Sequence, residues 1–202
     1  MTTRFLCLFP EYNFLMPVNW IDVTPLSFNT LLLLESVQLS WFPGWLPEAP
    51  LAIALRANPS AEWYLRHKCP DIAPWLERVL AENPPAPASP QEVRAAEVAI
   101  LNSLNDLITY AVDPSIYDRL PFTVWDDHEL LDLVDFRGQV VLDIGAGPGR
   151  LALVAAEAGA AAVYAVEPVE NLRRYLREKA RARGLNNLYT VDGLLTAIPF
   201  AD

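Results

Sequence analysis

Val140-Val-Leu-Asp-Ile-Gly-Ala-Gly-Pro-Gly-Arg150 runs from an apolar stretch into a turn with glycines at 145, 147 and 149, and Leu151-Ala-Leu-Val-Ala-Ala156 follows with helical character. The apolar half reads as a strand over Val140 to Ile144, and Gly149 to Ala158 reads as a helix. Glycines in such a turn permit positive φ and let a ligand approach the backbone where a Cβ would intrude. The helix that follows opens with N–H groups able to receive a carboxylate. Pro148 suits the first helical turn, where its missing N–H would have had no partner.

Downstream, Ala162 to Glu167 reads as a second strand, Val169 to Arg183 as a helix and Asn187 to Val191 as a third strand. Short apolar runs alternating with helices are the signature of parallel βαβ units. The expected fold class is therefore α/β. It comprises an N-terminal mainly helical region followed by the first β-α-β-α-β half of a doubly wound sheet, with any ligand at the carboxyl ends of the strands.

Glycine spacing separates two ligand classes. Dinucleotide enzymes use G-x-G-x-x-G, whereas here the spacing is G-x-G-x-G and Arg150 stands where the third dinucleotide glycine belongs. Asp143 precedes the first glycine by two positions. A carboxylate there repels a pyrophosphate but favours the ammonium and sulfonium of S-adenosylmethionine.

With these residues in place, Val140 to Leu153 resembles the first motif of the class I S-adenosylmethionine-dependent methyltransferases, and the resemblance extends over residues 117 to 202. It implies a Rossmann-like sheet and S-adenosylmethionine as cofactor. It also implies that the acid closing the second strand, Glu167, holds the ribose hydroxyls, and that Asp192 contacts the adenine amino group. The implied cofactor set is Asp143, Gly145, Ala146, Gly147, Gly149, Glu167, Pro168, Asp192 and Gly193. Glu167 lies 22 residues after Gly145, close to the ~20 expected for a ribose-binding acid. The stretch Tyr117 to Trp125 often contributes aromatic pocket residues in relatives, although Tyr110, Tyr117, Phe122 and Trp125 suit a core better than a pocket. For Asp192 the competing reading is a turn residue that caps its own backbone.

Upstream, the run from residue 1 to about 46 is apolar and aromatic without a clean period, apart from an expected helix over Thr30 to Gln38. Ala49 to Ala57, Ala61 to Lys68 and Ile72 to Glu82 read as short helices, the last capped by Asp71. Four prolines within residues 83 to 90 cannot continue a helix. They set expected units of 1–82 (helical), 83–89 (linker), 90–137 (helical lead-in) and 138–202 (cofactor-binding half-domain). Ser89, Pro90 and Glu92 form a capping box that opens a helix to about residue 111, and Asp126 with Glu129 opens another that Gly138 ends.

Net charge is −10, concentrated in residues 90 to 137 with 3 basic and 10 acidic side chains. That field argues against binding nucleic acid or anionic membrane. The exception is local: Arg173, Arg174, Arg177, Lys179, Arg181 and Arg183 share one helix, which reads as a solvated face complementing the helix dipole. Cys7 and Cys69 are two thiols without Cys-x-x-Cys spacing, so neither a disulfide framework nor a metal site is expected. Pro10 and Glu11 interrupt the first apolar run too early for a signal peptide, and Leu31 to Leu34 is too short to span a bilayer, so a soluble cytoplasmic chain is expected.

The expected activity is methyl transfer to an unidentified N, O or C acceptor, with no residue assignable as general base. The rivals are a non-catalytic binding module built on a partial methyltransferase fold and, disfavoured by glycine spacing, an NAD-dependent oxidoreductase. Ile198 to Asp202 resembles the lead into a fourth strand, so the half-domain reads as incomplete, with the outer edge of its first strand lacking a partner. Such an edge invites pairing with another segment or self-association. Size-exclusion chromatography should show this, and a compact monomer with a bare edge would contradict it.

Overall fold

The computed structural model describes residues 19–124 and 126–200. Trp125, Cys7, the first 18 residues and the last two, on which some of the expectations above fall, lie outside the described residues.

Among the described residues, five helices of eight residues or more precede the sheet: α1 (Glu48–Ala57), α2 (Pro59–Lys68), α3 (Ala73–Glu82), α4 (Pro90–Ser103) and α5 (Asn105–Val112). Prolines start α2 and α4, as fixed φ and the absent N–H favour. The capping box at α4 forms as expected, with Glu92 N donating to Ser89 Oγ at 3.3 Å and Ser89 N to Glu92 Oε2 at 2.7 Å.

Other helix expectations need correction. The helix foreseen over residues 90 to 111 breaks at Leu104 (φ −111°, ψ 21°). The next residue, Asn105, is buried and spends its carboxamide elsewhere, accepting from Trp20 N and Ile21 N and donating to Ile21 O. Thr30 to Gln38 is not one helix but a 3₁₀ segment, Phe28–Leu33, and a separate turn, Ser36–Leu39. Asp71 does not cap α3; it lies inside the 3₁₀ turn Pro70–Ile72. At Asp126 the expected box is absent: its Oδ1 accepts from His128 N, two residues on, and the helix that follows is only His128–Leu131.

The proline-rich stretch does not separate two cores. Leu31, Leu55 and Leu76 before it bury together with Ile100, Leu104 and Ile108 after it. Packing therefore groups 19–112 around one core, although a polyproline segment crosses its surface. Arg94 fastens the early chain to α4 by donating to the carbonyls of Thr24 and Leu26.

The second core belongs to the sheet. Strands β1 (Val140–Ile144), β2 (Ala162–Val166) and β3 (Leu188–Val191) are parallel in the order β1-β2-β3, with Asp143 opposite Ala165 and Val166 opposite Val191. Helices α6 (Arg150–Glu157) and α7 (Glu170–Ala182) connect them and bury Leu153, Leu176 and Ala180 against Val163 and Ala165. The β-α-β-α-β reading holds to within a residue or two at each boundary. Among the described residues nothing pairs with the outer edge of β1, and Val140 is 70% exposed there. No helix among the described residues is long and apolar enough to cross a membrane.

Candidate cofactor site

Gly145, Gly147 and Gly149 all take positive φ (74°, 54° and 85°), but their surroundings differ. A Cβ on Gly145 would point into open space, one on Gly147 would rest 3.7 Å from Tyr117 Cε1, and one on Gly149 would collide with Leu176 at 2.0 Å. The first two glycines therefore keep the ligand side clear, and the third lets α6 lie against α7. Gly149 is also the N-cap of α6, so Pro148 precedes the helix rather than occupying its first turn.

The turn is held to the sheet by Gly145 N and Ala146 N, which both donate to Val166 O, at 2.8 and 3.0 Å. This brings Glu167, next after β2, to the turn. Its Oε2 accepts from Gly147 N and its Oε1 from Val169 N, each at 2.9 Å, and the residue is 5% exposed. Burial pushes the Glu167 carboxyl above its ordinary range, opposed by those two backbone donors and by Arg173. Each oxygen still has a second lone-pair site for a hydroxyl donor.

A cavity of about 220 Å³ opens at this point, bounded on the sheet side by Gly145, Gly147, Glu167 and Pro168 and on the helical side by Gln38, Trp41, Tyr110 and Tyr117. Tyr110 and Tyr117 meet edge to face at 4.6 Å, and Trp20 and Phe122 pack onto Tyr117. The aromatic residues before the first motif are thus divided: Tyr110 and Tyr117 form the wall, whereas Phe122 is largely exposed.

Five of the implied set lie outside this cavity, Gly149 with its contact to Leu176 among them. Asp143 sits behind the turn, where its Oδ2 accepts from Ala152 N at 3.1 Å and so caps α6. Asp192 is 74% exposed in its side chain and accepts from Arg173 Nη1 at 3.0 Å, because that nearly buried guanidinium needs a counter-charge. Gly193 is a packing residue, since a Cβ there would lie 2.8 Å from both Pro199 and Val166. Ala146 is buried in the sheet core. The basic helix is largely engaged within the chain: Arg173 and Arg177 pair with Glu170, Lys179 with Asp118 and Arg183 with Glu157. Lys179 also donates to Pro148 O at 3.0 Å, which ties the turn to the lead-in segment.

Residues 141–202 match the family model for the methyltransferase domain. Over this segment the chain is similar to methyltransferase domains. Protein arginine N-methyltransferase PRMT10 of Oryza sativa subsp. japonica is 50% identical to the chain over 74 residues, which make up 37% of this chain and 19% of that protein. The histone-arginine methyltransferase CARMER of Culex quinquefasciatus is 46% identical over 57 residues, 28% of this chain and 9% of that one. The chain therefore spans less than a fifth of the length of these curated relatives. Among solved structures, a SAM-dependent methyltransferase from Aquifex aeolicus is 28% identical with a TM-score of 0.36, covering 45% of this chain and 52% of that one.

Tyr117 lies in the stretch expected to supply pocket aromatics, but the N-terminal part of the helical wall was missed by sequence reasoning. Gln38 and Trp41 come from a stretch without a clean period, and their place in the site is set by tertiary packing. The one available signal was a lone carboxamide within the otherwise apolar Val37-Gln38-Leu39.

Asp143 carries a testable pH dependence. Burial raises its carboxyl above the usual value, against the pull of the Ala152 N–H. The folded state thus holds that proton more tightly than the unfolded chain, and the Asp143 contribution to stability falls as pH rises through the raised value. Asn at this position retains an acceptor for Ala152 N without a buried charge. Asp143→Asn is expected to gain on the order of 1 kcal/mol at pH 7 and to lose that gain towards pH 4. Urea unfolding across that range measures it, and a loss of stability at pH 7 would contradict it.

Proposed function

We propose that the chain binds S-adenosylmethionine in the cavity beside Glu167 and forms the donor side of a methyl-transfer site. The observation that carries this reading is the Glu167 carboxylate, buried at the end of β2 and aimed by two backbone N–H groups into a cavity floored by glycine. The residues fit the group: Gly145 leaves open the space a Cβ would fill, and Glu167 has acceptor sites for two ribose hydroxyls. Gly147 and Pro168 would flank the nucleoside, and Tyr117 lines the cavity on its helical side. The start of α6 already gives one of its N–H groups, that of Ala152, to the Asp143 carboxyl.

When bound, S-adenosylmethionine supplies an activated methyl group on a sulfonium. The chain's contribution is orientation and exclusion of water, the main requirement of an in-line displacement. The relatives that share this segment are named as arginine methyltransferases, so an arginine-containing peptide is the first acceptor to test.

Calorimetric titration with S-adenosylmethionine, S-adenosylhomocysteine and NAD tests the donor assignment. Binding of the two sulfur nucleosides but not NAD is expected. NAD binding in their place would transfer the site to hydride chemistry, and binding of none of the three would favour a non-catalytic module.

A further inference from the structure

Gln38, in the turn Ser36–Leu39, is 1% exposed and belongs to the wall of the same cavity as Gly145, Gly147 and Glu167. Its Oε1 accepts from Glu35 N at 2.9 Å. Because that partner is a backbone N–H, only the oxygen of the carboxamide can face it, which settles the orientation of the amide. Its Nε2 is then left buried, and no described residue accepts from it. Native proteins seldom bury a donor without an acceptor, since its lost hydration is not recovered. A buried, unpartnered donor in a ligand cavity points to an acceptor carried by the ligand.

We propose that Gln38 Nε2 donates a hydrogen bond to the nucleoside of the ligand held at Glu167, making the N-terminal helical core part of the cofactor site. The proposal rests on the reading of this cavity as an S-adenosylmethionine site. The nucleoside is preferred over the amino-acid end for two reasons. The Glu167 carboxylate in the same cavity repels a second carboxylate. The remaining walls, Leu107, Val169, Leu172 and the Tyr110 ring, are apolar or aromatic and suit a flat, neutral base beside a ribose. A neutral carboxamide matches a neutral acceptor, a purine ring nitrogen or a ribose oxygen. Leu39 and Phe42, which flank this wall, are fully buried in the helical core, so the ligand would join the two cores of the chain.

The test titrates the full chain with S-adenosylhomocysteine and with 5′-methylthioadenosine, which lacks the amino-acid end, at pH 8. Gln38→Glu removes the donor but preserves the acceptor for Glu35 N, and Gln38→Met removes both while keeping the length of the side chain. Both variants, checked for a cooperative thermal transition, should bind each ligand about 5- to 10-fold more weakly, by the same factor for the two ligands. A loss confined to S-adenosylhomocysteine would place the contact at the amino-acid end and overturn the proposal. So would a folded variant that binds both ligands like the unaltered chain. An unaltered chain that binds neither ligand overturns the cofactor reading itself, and this inference with it.

Discussion

Glu167→Ala is expected to weaken S-adenosylhomocysteine binding about 100-fold while leaving the unliganded chain as stable as before. The two parts of that expectation come from the same geometry. Glu167 would offer its ionised oxygens to ribose hydroxyls within a partly open cavity, and hydrogen bonds to a buried charged acceptor contribute about 1.5–3 kcal/mol each. Losing a pair of them amounts to at least two factors of ten in affinity. In the unliganded chain the carboxylate gains from Gly147 N and Val169 N but costs its own desolvation, as its raised pKa shows. Removing it therefore deletes opposing contributions, and water in the cavity can take over the two N–H groups. Glu167→Gln keeps the size but turns an amide N–H₂ against one of those two backbone donors, so it should fall between. Calorimetry paired with urea unfolding reads both quantities. Binding by Glu167→Ala within threefold of the unaltered chain would mean that the ribose does not reach this carboxylate.

The contrast between Glu167 and the other two acids shows what a linear chain discloses and what it does not. The strands, the glycine turn and the place of Glu167 at the end of β2 follow from local pattern: apolar runs of buried parallel strands, glycines where φ is positive, and a fixed count between turn and acid. Asp143 and Asp192 match the same motif equally well by position, yet one caps α6 and the other neutralises Arg173. Their partners are set by packing, which spacing does not encode. The same holds for the helical part. Local pattern places α1 to α3 and the capped start of α4, although Asp71 does not cap α3, but nothing local announces the break at Leu104, because it follows from the demand of Trp20 and Ile21 on Asn105. Nor does composition reveal that helices on both sides of a proline-rich stretch share one core, or that Gln38 faces the glycine turn.

The three glycines extend this distinction to residues of one type, and Gly149→Ala should be the most damaging single methyl in the chain. Gly149 has φ +85°, a conformation that costs an L-residue about 1–2 kcal/mol. Its added Cβ would lie 2.0 Å from Leu176 Cδ1 and 2.9 Å from Cδ2. Leu176 has no exposure and is packed between α7 and the sheet, so it cannot swing aside cheaply, and overpacking of this kind costs about 1–3 kcal/mol more. A loss of about 2–5 kcal/mol in urea unfolding is expected, a large share of the stability of a domain this size. Gly145→Ala makes the informative comparison, because its φ is also positive but its Cβ meets nothing. It should lose only the backbone part, about 1–2 kcal/mol, and lose ligand affinity as well, since the methyl enters the cavity side. The steric share at Gly149 can be isolated with Leu176→Ala, which alone should cost about 2–5 kcal/mol through the cavity it leaves. If the clash is real, the two changes partly relieve each other, and the double variant should be at least 1 kcal/mol more stable than additivity predicts. Strict additivity would assign the whole effect of Gly149 to its backbone and leave α6 free of any packing demand at that residue.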